Sequence, residues 1–308
     1  MHAPSFHADE IAAQRLGDGV IGDTPAIRTF MPEQHRTFFA GLPMLLVGAV
    51  DADGWPIATA LAGRPGFVST PDPETLRVAA LPPSDDPAAS ALRPGAEIGL
   101  LGLDFGTRRR NRANGRIAAV DAGGFTVAVE QSFGNCPKYI RRREAEAEPR
   151  AGGPAESFRG VDARARALIA SADTLFVATR ARDGVGPAGG ADISHRGGSP
   201  GFVRVDGDVL TIPDLPGNRY FNTLGNLVGE PRASLLLVDF ESGDLLTLQG
   251  EAEIDWDGRE AAGFAGARRS WSFRALRGWR RPAALPLRWR PLDPSPFLAG
   301  TGPWAGPA

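Results

Sequence analysis

Apolar residues in this chain fall in short runs that end in turn signals, the pattern of strands rather than of long helices. MLLVGAV (44–50) runs into DADG, and TLFVATR (174–180) runs into ARDG. An apolar run closed by an Asp/Gly turn reads as the first arm of a hairpin. EIGLLGLDF (97–105) and ASLLLVDF (233–240) have the length and composition of buried strands. FTVAVEQS (125–132) and DLLTLQGEAEI (244–254) alternate, as strands with one covered face do, and WSFRALR (271–277) alternates more weakly. Helical spacing is confined to PEQHRTFFAGL (32–42), with Phe38, Phe39 and Leu42 on one side, and to DARARALIASA (162–172) and NRYFNTLGNLV (218–228).

The strand pattern repeats. GRPGFV (63–68) returns as GSPGFV (198–203), an offset of 198 − 63 = 135. LGLDF (101–105) returns as LLVDF (236–240), and Gly115 as Gly250, at the same offset. Upstream, Asp53-Gly54 matches Asp183-Gly184 at 183 − 53 = 130, so the second copy has extra residues near 185–192. Internal repetition of this kind points to a duplicated unit. Between the copies, REAEAEPRAGGPAESFRG (143–160) is charged, rich in Gly, Pro and Ala and poor in large apolar residues, which reads as a linker. The expected architecture is mainly β with flanking helices: two tandem split β-barrel repeats packed as a pseudo-dimer. Its parts are an N-terminal half (1–142), a linker (143–160) and a C-terminal half (161–308) ending in a proline-rich tail. Two copies of one unit pack about a pseudo-two-fold axis as two subunits would.

Composition narrows the chemistry. The 308 residues are 42% hydrophobic, enough for a sizeable core, and carry a formal charge of −2, which argues against general affinity for nucleic acid. One cysteine makes no internal disulfide, and no signal-peptide core or membrane-length apolar run is present, so a cytoplasmic protein is expected. No other histidine or cysteine stands at metal-ligand spacing near His195, and Asp192, Ser194 and His195 are too close in sequence to converge easily as a triad, so neither a metal site nor a Ser-His-Asp hydrolase is expected.

The copies are most informative where they disagree. LPPSDD (81–86) faces LPGNRY (215–220), two aspartates against Gly217, Asn218 and Arg219. A glycine turn, a helix start and an arginine favour an anion, with Asn222 and Thr223 as further donors. The aspartates would repel one, so one phosphate site is expected per chain, in the second half. The same residues also describe an ordinary capped helix with a solvated arginine. The inserted stretch GPAGGADISHRGGSPGF (186–202) holds Asp192, Ser194, His195 and Arg196 between glycines. On a strand, Asp192, Ser194 and Arg196 share one face; an exposed polar hairpin is the competing reading. SFGNCPKYIRRR (132–143) contains the single cysteine, Cys136, beside Asn135, Lys138 and Tyr139. A lone cysteine before proline is more often a small apolar filler than a nucleophile.

Taken together, DISHRGGSPGFVRVDGDVLTIPDLPGNRYFNTLGNLVGEPRASLLLVDF (192–240), NCPKYI and MPEQHRTFF resemble the pyridoxamine 5′-phosphate oxidase-like flavin-binding family, in its large two-repeat bacterial form. The resemblance covers most of residues 5–255. The substrate motifs and basic flavin strand of pyridoxamine 5′-phosphate oxidase itself do not stand here. The resemblance implies FMN, held by Gly217, Asn218, Arg219, Asn222 and Thr223 at its phosphate. It places Asp192, Ser194, His195 and Arg196 beside the ring. In the family the flavin lies at a dimer interface, so Asn135, Lys138 and Tyr139 are expected to close the pocket from the first half. Arg108, Arg109, Arg110 and Arg112 are expected nearby. The implied function is an oxidoreductase passing electrons from a reduced nicotinamide or similar donor to a small acceptor. The alternative is a non-catalytic flavin- or haem-binding module. The partners expected are a small-molecule substrate or electron donor, with neither nucleic acid nor membrane, and a homodimer is left open.

Overall fold

The computed structural model describes residues 4–17, 19 and 21–305. Two helices, α1 (Ala8–Leu16) and α2 (Glu33–Ala40), precede seven strands: β1 (Met44–Val50), β2 (Pro56–Ala62), β3 (Val68–Asp72), β4 (Thr75–Val78), β5 (Glu97–Asp104), β6 (Arg109–Asp121) and β7 (Gly124–Asn135). Two short strands follow, β8 (Arg143–Ala147) and β9 (Glu156–Arg159), then α3 (Ala163–Ser171). The second set is β10 (Thr174–Arg180), β11 (Ala191–Gly197), β12 (Arg204–Asp206), β13 (Val209–Asp214), α4 (Asn222–Gly229), β14 (Arg232–Val238), β15 (Leu245–Asp255) and β16 (Arg269–Arg281), with β17 (Leu287–Pro291) last.

The duplication is visible in the strand order. The first sheet runs β2-β1-β5-β6-β7-β4-β3 and the second β11-β10-β14-β15-β16-β13-β12, the same path in both. All pairings are antiparallel. The repeated glycines have a physical cause. A register shift falls at Asn114/Gly115 in one half and at Gln249/Gly250 in the other. A Cβ on Gly115 would meet the Ala128 carbonyl oxygen at 2.0 Å, and one on Gly250 the Arg274 oxygen at 2.0 Å. Only glycine permits that approach.

Each half closes over its own core. Leu45, Val47, Leu100, Phe125 and Val127 belong to the first; Val177, Leu235, Leu248, Trp271 and Phe273 to the second. A third cluster, including Leu46, Ala60, Leu101, Phe176, Ile193 and Leu236, joins the two halves. Here β1 and β5 press against β11. A Cβ on Gly99 would stand 2.7 Å from the Asp192 Cα, so the polar strand of the second half is seated directly on the backbone of the first.

Three expectations need amendment. The 143–160 segment carries two strands rather than a free tether: β8 pairs with β17, and β9 with β16. Its low apolar content reflects edge strands that are mostly exposed. The C-terminal stretch is docked, with Trp304 Nε1 donating to the Phe202 carbonyl at 2.8 Å. The helix expected from residue 218 begins at Asn222, because Arg219 (φ 64°) and Phe221 (φ 60°) lie in the left-handed region and cannot be helical. Among the described residues, no helix is long and apolar enough to cross a membrane.

Candidate functional site

Between the halves lies a cavity enclosing about 80 Å³. The second half supplies Ser194, His195 and Arg196 from β11, the 214–221 loop, the first turn of α4, and Arg268 and Arg269 at the start of β16; the first half supplies Arg110, Arg112, Asn135 and Cys136. Six of the lining residues are arginines (110, 112, 196, 219, 268 and 269) and one, Asp214, is a carboxylate. That excess of guanidinium groups, with the unsatisfied N–H groups of a helix start, suits an anion.

Strand alternation sets the geometry on β11. Arg112 reaches from β6 to place Nη1 2.5 Å from Asp192 Oδ2, while its Nη2 donates to Ser194 Oγ. Thr223 Oγ1 donates to the same Ser194 Oγ at 2.7 Å, tying α4 to the strand. Arg196 lies 4.0 Å from Asp214. His195 is buried, with Phe176 edge-on at 5.8 Å and Arg110 Nη1 3.2 Å from its Nδ1. Burial first, and then the surrounding arginines, hold its pKa well below the usual value, so the imidazole is neutral. Burial also lowers the pKa of Arg110 and Arg196. Several buried polar atoms around the cavity lack a protein partner: Asn135 Nδ2, Asp192 Oδ1, His195 Nε2 and Arg196 Nε.

Most of the residues singled out in the sequence do meet here. Asn135, Ser194, His195, Arg196, Gly217, Asn218, Arg219, Asn222 and Thr223 line the cavity, and so does Cys136, whose Sγ lies 3.4 Å from Arg110 Nη2. The others act from outside its wall. Asp192 stands behind it as the partner of Arg112. Lys138 and Tyr139 brace the turn, with Lys138 Nζ 3.5 Å and Tyr139 Oη 3.1 Å from the Pro216 carbonyl oxygen. Asn222 is turned away as a donor, giving its Nδ2 to Glu10 at 2.5 Å. Asn218 spans the halves, donating to Asn135 Oδ1 at 3.0 Å. Of the first arginine run, Arg110 and Arg112 line the cavity, whereas Arg108 pairs with Asp293 and Arg109 lies over Phe38.

Sequence reasoning missed Arg268 and Arg269. The signal was there in the repeat. Past the bulge, Ala275 stands where Val129 stands, an offset of 275 − 129 = 146, so Arg268-Arg269 faces Ala122-Gly123.

The matching place in the first half is built differently. Thr59 occupies the position of Ser194, and Arg281 that of Asn135, by register. Asp86, 3% exposed, accepts from Thr59 Oγ1 at 2.7 Å and Ala88 N at 2.7 Å, and pairs with Arg281. The counterparts of Arg110 and Arg112, 135 residues on, are Leu245 and Thr247. A carboxylate of the chain itself therefore fills this place, and its cationic wall is missing. Burial raises the Asp86 pKa while Arg281 opposes that shift. Among the described residues, no group of three or more His, Cys, Asp or Glu side chains forms a metal cage.

Comparison with known proteins gives one family match: residues 161–287 fit the family described as pyridoxamine 5′-phosphate oxidase. No curated protein matches the sequence. Among solved structures, HupZ from Group A Streptococcus is 15% identical, with a TM-score of 0.31 over 39% of this chain and 98% of its own. An FAD-binding protein from Mesorhizobium loti is 11% identical, with a TM-score of 0.27 over 42% and 97%. HutZ, a haem storage protein from Vibrio cholerae, is 15% identical, with a TM-score of 0.25 over 38% and 89%. The cavity, its loop and its polar strand all fall largely inside the matched segment. The second of the two repeats, residues 161–287, thus matches the pyridoxamine 5′-phosphate oxidase family, and the first half repeats its strand order.

Proposed function

We propose that this protein binds FMN in the inter-half cavity and acts as a flavin-dependent oxidoreductase. The observation that carries the reading is the arginine-lined cavity at the 214–223 segment, inside the segment that matches the family. The residues suit the anionic end of the cofactor. Arg219 and the first turn of α4 would hold the phosphate, and Arg110, Arg112 and Arg196 add positive charge. The unpartnered Asn135 Nδ2 and His195 Nε2 offer polar contacts to a ring edge. The enclosed 80 Å³ suits a phosphate and is well below the roughly 300–1,000 Å³ of typical small-molecule sites. Ring binding therefore requires side chains that line the cavity to move aside.

A bound flavin supplies hydride and electron chemistry; the chain supplies orientation and charge. Neutral His195 presents a hydrogen-bonding nitrogen without adding charge. The arginines favour the deprotonated form of any acid nearby and an anionic ligand over a neutral one.

Absorbance and titration test the reading. Purified protein, or protein given FMN, should show flavin bands and one site per chain. Bleaching by NADH or NADPH, with recovery in air, supports turnover. A protein that takes up no FMN overturns the proposal, and flavin uptake without reduction by any donor reduces it to a binding module.

A further inference from the structure

The 217–221 loop is bent into a costly shape, and the element that holds it comes from the other half. Arg219 and Phe221 both have positive φ. Non-glycine residues in that region are strained and persist only where their surroundings impose them. Those surroundings are supplied by α1 and the chain around it.

Helix α1 has no counterpart in the second half among the described residues; α2 and α3 are the helices that the repeat relates. It lies against α4 at backbone distance. A Cβ on Gly225 would stand 2.5 Å from Glu10 Cα, and one on Gly229 would stand 2.2 Å from Asp9 Oδ2. Glycines four apart on α4 leave room for α1. Its buried face is polar. Gln14, 0% exposed, donates Nε2 to the Tyr220 carbonyl at 3.2 Å and accepts from Ile21 N at 3.1 Å. Glu10 accepts from Asn222 Nδ2 and from His7 N, and His7 Nε2 lies 2.8 Å from Asn226 Oδ1. The Tyr220 ring is held in turn by Phe6 at 5.3 Å and Phe133 at 6.1 Å. Gln14 thus bonds the strained loop at Tyr220, and Glu10 and His7 bond α4 at Asn222 and Asn226.

We propose that α1 is a clamp that imposes the anion-binding shape on the 217–223 segment, with Gln14 and Glu10 as positioning residues. This rests on the reading of that segment as the phosphate site. Gln14 and Glu10 do not line the cavity; they act through Tyr220 and Asn222.

The test compares FMN with riboflavin, which has the ring and lacks the phosphate. Affinities are measured by fluorescence quenching on the full chain. Gln14→Met keeps side-chain volume and removes both hydrogen bonds. It should weaken FMN about fivefold, the worth of one hydrogen bond, and leave riboflavin unchanged. Gly225→Ala, which forces α1 off α4 without touching Gln14, should give the same selective loss and guards against a misfolded first variant. Equal weakening of both ligands, or of neither, overturns the clamp. If the wild-type chain itself prefers riboflavin or binds neither, the phosphate reading has failed and the clamp falls with it.

Discussion

Arg112 Nη1 lies 2.5 Å from Asp192 Oδ2, across the boundary between the two halves, and both side chains are under one-tenth exposed. The pair does two things. It pins the polar strand of the second half to β6 of the first, and it sets the position of Ser194, which also takes a bond from Thr223. A buried charge that loses its partner is expensive.

Arg112→Ala should therefore destabilise the fold by about 3–5 kcal/mol, since Asp192 would stay buried without its guanidinium. Arg112→Lys should recover only part of this, because an ammonium cannot fork onto Asp192 and Ser194 together. Urea unfolding of the three proteins checks the order. Equal stability of Arg112→Ala and wild type would show that the pair contributes nothing net.

Arg219 behaves in the opposite way. It is exposed at the cavity, and among the described residues it forms no ion pair. Arg219→Ala should leave the melting temperature nearly unchanged and weaken FMN by about 1.5–3 kcal/mol, the usual worth of a charged hydrogen bond. Calorimetric titration gives the affinity, and a thermal melt of the same sample gives the stability.

The sequence places Asp86 where a carboxylate would repel a phosphate, and the structure also buries it against Arg281, Thr59 and Ala88. Asp86→Ala strands Arg281 and should cost about 3–5 kcal/mol. The double variant Asp86→Ala/Arg281→Met, which replaces the pair with apolar bulk, should recover most of that loss. Chemical denaturation of the single and double variants decides it.

The same residue shows how far the sequence carries. Alternation and the turn signals placed most of the main strands, because a strand with one covered face must alternate. The repeat revealed the pseudo-symmetry, because Gly115 and Gly250 answer to the same backbone approach. The candidate loop was legible as a difference between copies. Partners across the halves were not, since nothing in the string places Arg281 beside Asp86 or Gln14 beside Tyr220. Helix α1 went unread because its buried face is Asp9, Glu10 and Gln14 with one alanine, Ala13, rather than large apolar side chains. The start of α4 was misplaced because propensity alone does not reveal two left-handed residues at 219 and 221.

Cys136 tests the thiol. It lines the cavity and its Sγ contacts Arg110. A serine keeps an acceptor at that point. Cys136→Ser should bind FMN within about twofold of wild type, consistent with the modest net worth of one weak hydrogen bond. A variant that no longer takes up FMN would give the sulfur a role that packing does not explain.

Glu10 makes stability depend on pH in a definite direction. Burial pushes its pKa up to about 8 from a usual value of 4.5, with the bonds from Asn222 and His7 opposing and the nearby Asp192 adding to the rise. The folded protein thus keeps a proton that the unfolded chain releases near pH 4.5. Between these values the unfolded state binds fewer protons, so stability falls as pH rises. The contribution is fully present below about pH 4.5 and is lost progressively up to about pH 8. Glu10→Gln, which cannot ionise, should flatten that part of the profile. Denaturant midpoints at pH 5, 6, 7 and 8 for both proteins make the comparison. His7 and His195 run the other way, since burial lowers both; they add stability as pH rises through the ordinary histidine range. His7 Nε2 lies 3.6 Å from Glu10 Oε2, so the comparison is repeated with His7→Gln in both proteins, where the remaining difference between the profiles isolates Glu10. A difference that stays constant from pH 5 to 8 would show that Glu10 ionises normally and that α1 is held without its proton.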